Sequence, residues 1–169
     1  MAGYDPSRWS EFALAQLGAS AAVLGLVFVA LSINLRAIIG SDVLVHRATE
    51  AVIVLANVLV SATLVLIPAQ DRGVVSAELS VAALATFAIV WRLQRGAMAA
   101  SASDDRGPSR SQFEVRRTLS LGAQVLLALA AITLAVGAGG GLYWWPAAVI
   151  VAYVSALTNG WVLLVEVLR

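Results

Sequence analysis

The chain of 169 residues is 60% hydrophobic and 12% charged, with a mean hydropathy of +0.88. Soluble domains carry roughly twice that share of charge, so too little polar surface exists to cover a water-facing globule, and an integral membrane protein is expected. A formal net charge of +1 gives no reason to expect a nucleic-acid partner, and the lack of cysteine removes disulfides, iron–sulfur clusters, thiolate metal sites and thiol catalysis.

Five apolar segments, at about 12–35, 48–68, 74–93, 119–136 and 146–168, are each long enough to cross roughly 30 Å of hydrocarbon as a helix. The alternating strands of a membrane barrel are missing. The expectation is one transmembrane domain over residues 1–169, an all-α integral membrane bundle of five transmembrane helices.

The first segment reads as an uncleaved anchor. Only Arg8 precedes it, its apolar stretch is too long for a secretory signal, and no small-residue cleavage site follows. Gly18, Gly25 and Ser32 recur every seventh residue along it, with Ala21 and Ala22 on the same side. Such a seam permits close helix approach; packing inside the bundle is the first reading and a subunit interface the alternative. Its last turns carry Ser32, Asn34 and Arg36 in an otherwise apolar run.

The second segment follows a connection ending in His46 and Arg47, carries Glu50 and Asn57, and stops at Pro68. A tight turn at Ala69–Gly73 leads to the third, whose acidic end, Asp71 and Glu78, reads as solvated. A polar stretch over about 94–118 is expected to be a flexible cytoplasmic loop. Within it, Ser111 and Glu114 have the spacing of a capping box, predicting a helical extension from about Gln112 into the fourth segment. The glycine-rich Gly137–Trp145 loop lacks the lysine and Ser/Thr of a phosphate-binding loop and reads as a flexible turn. Pro146 suits the first turn of the fifth segment, which carries Asn159 and Glu166.

Arginine counting sets an orientation. With five spans, Arg8 and Arg72 fall on one side and the other nine arginines on the opposite side. The positive-inside rule then puts the N-terminus outside and the C-terminus inside. Tyr4, Trp9, Phe12, Tyr143, Trp144 and Trp145 are expected at the outer interface, and Trp91 at the inner one. The use of arginine without lysine fits a GC-rich genome, so a bacterial cytoplasmic (inner) membrane is the expected location. The inner arginines should touch anionic lipid head groups.

Topology also brings polar residues to one depth. Glu50 and Asn57 are seven apart on an ascending span, Asn159 and Glu166 seven apart on a descending one. Each pair lies on one helix face. Together with Asn34, these four residues are expected in the cytoplasmic half of the bilayer, with Arg36 or Arg47 as counter-charge. Three readings are open: structural hydrogen bonds, a polar vestibule for an ion, proton or small polar solute, and a docking site for a partner membrane protein. Asn34 is expected to join Asn57 and Asn159.

No nucleophile–base constellation or soluble domain suggests an enzyme, no cofactor is expected, and a single histidine rules out a multi-histidine metal site within one chain. A thin bundle with a glycine seam is expected to be a homo-oligomer.

Gly25–Ile38, "GLVFVALSINLRAI", Asn159–Arg169, "NGWVLLVEVLR", and the start Tyr4-Asp5-Pro6-Ser7-Arg8-Trp9 resemble a group of small polytopic bacterial membrane proteins of unknown function. Some of these are described as modulators of the FtsH protease, a description that belongs to a longer, seven-span family. This chain departs from that family in length and pattern, so the resemblance implies no activity. It implies only that Ser32–Asn34–Arg36 and Asn159–Glu166 lie in the group's characteristic stretches.

Overall fold

The computed structural model describes residues 2–101 and 110–165, and all regular structure within them is helical. The helices are α1 (Ser10–Ile33), α2 (Leu35–Ile39), α3 (Asp42–Leu66), α4 (Arg72–Ser101), α5 (Arg110–Val136) and α6 (Trp144–Val165). Short 3-10 turns precede α1 at Ala2–Tyr4 and Pro6–Trp9, and another, at Gly141–Tyr143, precedes α6. All of these helices except α2 contain a stretch long and apolar enough to cross a membrane.

Local chemistry explains where the helices stop. Ile67, held extended by Pro68, ends α3. Asp71 then caps α4, its Oδ1 accepting from the amides of Gly73 (2.7 Å) and Val74 (3.0 Å). Asp71 is therefore a helix cap. Gly137, at φ +73°, closes α5 with its amide on the Thr133 carbonyl. At the junction of α1 and α2, the backbone and side-chain amides of Asn34 both donate to the Ala30 carbonyl.

Three expected boundaries move, the first being the start of α3, at Asp42 and not near residue 48. α4 continues to Ser101, well past the expected end near Leu93, so the start of the expected loop is helix. α5 is already helical at Arg110, and Ser111 lies inside it instead of capping it. Of the stretch expected to be a flexible loop, residues 102–109 lie outside the described residues.

The four helices α3 to α6 form a ring. α3 and α5 each pack against both α4 and α6, so α3 faces α5 across the diagonal of a four-helix core. α1 lies outside this ring, mainly against α3. Its exposed face includes Gly18, Gly25 and Ser32, and a side chain at either glycine would meet open space. The seam therefore does not pack inside the bundle, because α1 touches the ring through Ala13, Ser20, Val27 and Ala30 instead.

At one end of the bundle the N-terminal turns fold across the glycine loop. Tyr4 OH accepts from the Gly140 amide at 2.9 Å, and a side chain at Gly141 would collide with the Gly3 carbonyl. Trp9 meets Tyr143 and Phe12 edge-on, and Phe12 meets Trp145 likewise. Trp145 is fully buried under these rings, so its side chain is covered by protein. The glycine loop is clasped, with four glycines at positive φ allowing the close approach.

Candidate functional site: a polar axis through the four-helix core

The interior of the ring carries polar side chains along much of its length. α3 contributes Glu50, Asn57 and Ser61, which fall on one face because their spacings approximate whole turns. α5 contributes Arg116, Ser120 and Gln124, successive residues one turn apart. All six are buried.

One layer takes a residue from each core helix. Glu50 on α3 is fully enclosed. Its Oε1 accepts from Gln94 Nε2 on α4 at 3.0 Å and from the Ser120 hydroxyl on α5. Ser120 and Ser155 on α6 are 2.7 Å apart; with the single proton of Ser120 committed to Glu50, Ser155 is the donor. Glu50 Oε2 faces Arg116 Nε at 3.5 Å, too poorly aligned for a hydrogen bond.

Two further layers lie toward the clasped end. Asn57 Nδ2 donates to Gln124 Oε1 at 2.8 Å, across the diagonal. Trp145 Nε1 donates to Ser61 Oγ at 3.2 Å, joining α6 to α3. The Asn57 and Ser61 layers flank a small cavity. Between α4 and α5, Ser76 donates to the Ala131 carbonyl.

The expected vestibule residues separate into groups. Glu50 and Asn57 are both on the axis, each bonded to partners other than the expected ones. Asn159 is 2% exposed, and its Nδ2 has no hydrogen-bond partner among the described residues. It lies one turn beyond Ser155, as Arg116 lies one turn beyond Ser120, so both stand at one depth on neighbouring antiparallel helices. Asn34 does not join Asn57, because both its amides are spent on its own helix. Arg36 is exposed; Arg116 is a counter-charge on Glu50, and Arg47 is also buried. Glu166 lies outside the described residues. His46 rests its ring against Gly96, with Nδ1 2.6 Å from the Asp42 carbonyl.

Gln94, Arg116, Ser120, Gln124 and Ser155 are missing from the expected set. The four-residue spacing of Arg116, Ser120 and Gln124 on an apolar helix is the signal that points to three of them.

Chemically, the axis offers one ionisable carboxylate with hydroxyl and amide hydrogen-bond donors beside it. Among the described residues no group of three or more His, Cys, Asp and Glu side chains is placed to hold a metal ion. No protein family, curated protein or solved structure matches the chain.

Proposed function

We propose that the protein is a small multi-pass membrane transport component that handles protons, with Glu50 as the group that binds and releases them. One observation carries this reading: a fully buried carboxylate, inside a segment apolar enough to span a membrane, is bonded by Gln94 and Ser120 and faced by a buried arginine. Ionisable groups at such depth are rare and expensive, and they mark ion and proton pathways. Charged Glu50 attracts Arg116. A proton on Glu50 removes that attraction and frees the guanidinium to snorkel toward the arginine-rich end. The arginine asymmetry supports an N-out, C-in orientation in a bacterial cytoplasmic membrane, with the polar axis entered from the cytoplasm past Asn159.

The test is purified protein in liposomes under a pH gradient, read by an internal pH-sensitive dye. Wild type should dissipate the gradient, Glu50→Gln should not, and Asn57→Leu and Asn159→Leu should slow it. Wild type matching protein-free liposomes would overturn the reading.

A second reading has its own observation. Only 11% of the most apolar window of the first span is buried, and the Gly18–Gly25–Ser32 stripe faces away from the bundle. This favours a non-conducting interaction or regulatory protein that packs α1 against another membrane helix, from a second copy or from a partner such as a membrane protease. It expects a stable co-purifying partner or homo-oligomer that is lost in Gly18→Leu and Gly25→Leu and retained in Glu50→Gln.

A further inference from the structure

Between α3, α5 and α6, Asn57, Ser61 and Gln124 line a cavity in which the centre of a water molecule has about 10 Å³ of room. That is about what one ordered water requires, provided two or more polar groups meet it. The polar groups are there. The Asn57–Gln124 bond uses Asn57 Nδ2 and Gln124 Oε1, and leaves Asn57 Oδ1 and Gln124 Nε2 without a hydrogen bond among the described residues. Reversing both amides exchanges the roles and still leaves one donor and one acceptor. Ser61 donates to the Val58 carbonyl and accepts from Trp145, which leaves one lone pair on its oxygen. The remaining walls are apolar side chains and the Trp145 ring.

We infer that this cavity binds a single water molecule, which donates to Asn57 and Ser61 and accepts from Gln124. A dry cavity would leave an amide donor and an amide acceptor unpaired away from bulk water, which is unfavourable for both groups. An apolar occupant would leave the same debt. The site stands one turn along α5 from Ser120, and so continues the hydroxyl chain of Glu50 toward Trp145. Its role as a second station for proton exchange rests on the transport reading above; the water site itself does not.

The experiment is water-edited solid-state NMR on the uniformly ¹⁵N,¹³C-labelled full chain in lipid bilayers, with the Gln124 side-chain amide assigned by its loss in Gln124→Met. The Gln124 side-chain amide should receive magnetisation from water, whereas the backbone amide of Leu127 should not. Ala152→Val, which fills the cavity and keeps Gln124, should abolish the transfer; Ala148→Val serves the same purpose where the first variant folds poorly. A Gln124 amide as dry as Leu127, or a transfer unchanged by both fillings, would overturn the inference. The readout needs no flux. A wet Gln124 in a protein that moves no protons removes the transport reading and keeps the water site, and flux with a dry Gln124 does the reverse.

Discussion

Arg116 Nε stands 3.5 Å from Glu50 Oε2 across the diagonal of the core, and both side chains are almost wholly shielded. A pair so placed contributes little net stability when intact, because desolvation offsets attraction, yet losing one partner strands a charge. Arg116→Leu alone should therefore destabilise the protein by about 3 kcal/mol or more. Glu50→Met combined with Arg116→Leu should recover most of that loss. Unfolding in mixed micelles titrated with dodecyl sulfate measures both, and a double variant as weak as the sum of its singles would contradict the pairing.

The Asn57–Gln124 bond should behave as a modest coupling. Interhelical hydrogen bonds in membrane proteins average about 0.6 kcal/mol and reach about 1.7. A double-mutant cycle with Asn57→Leu and Gln124→Met should return a coupling inside that range. Strict additivity would mean that the two amides do not meet.

The span count was legible from apolar run lengths alone, since crossing hydrocarbon demands a minimum length. Helix ends were less legible: α4 runs on to Ser101 because Gln94–Ser101 holds no proline and its alanines, Met98, Gln94 and Arg95 favour helix enough to carry Gly96, polar as parts of it are. Glu50 and Asn57 stood out because they are costly in an apolar span. Their partners did not, since Ser120, Ser155 and Gln124 are common residues whose meaning depends on which helices face each other. Asn34 misled for a related reason. An amide near a helix end can satisfy itself on its own backbone, and the sequence carries no mark of that choice.

Substitutions of glycine should divide sharply by position. Gly141→Ala combines a positive φ with a collision against the Gly3 carbonyl, so the N-terminal turns must lift away. Strain of this kind costs about 1–3 kcal/mol. The expected result is faster proteolytic removal of the N-terminal segment in that variant. Gly18→Ala and Gly25→Ala, with open space around them in the interior of α1, should leave the monomer as stable as wild type or raise its stability by up to about 1 kcal/mol each.

The same segment should loosen in acid. The Ser7 hydroxyl, and more weakly the Ser7 amide, bind the Asp5 carboxylate and hold its pKa below the ordinary 3.8. A depressed carboxylate pKa stabilises the fold above the ordinary value, and the contribution disappears as pH falls through the folded value. Proteolysis by an acid-active protease should therefore speed up below pH ~3.8 in wild type. In Asp5→Asn it should change little over that interval.

The clasp between Tyr4 and Gly140 joins residues separated by 136 positions in the chain. Its partners on the glycine loop emerge from synthesis only after four of the five spans have been made. The N-terminal turns thus wait, unpaired, through most of chain elongation, and α1 acquires its last contacts when α6 arrives. Assembly of this bundle accordingly finishes where the chain began. Truncation before Gly137 would leave the earliest-made helix tethered to its neighbours but without the clasp that seals it.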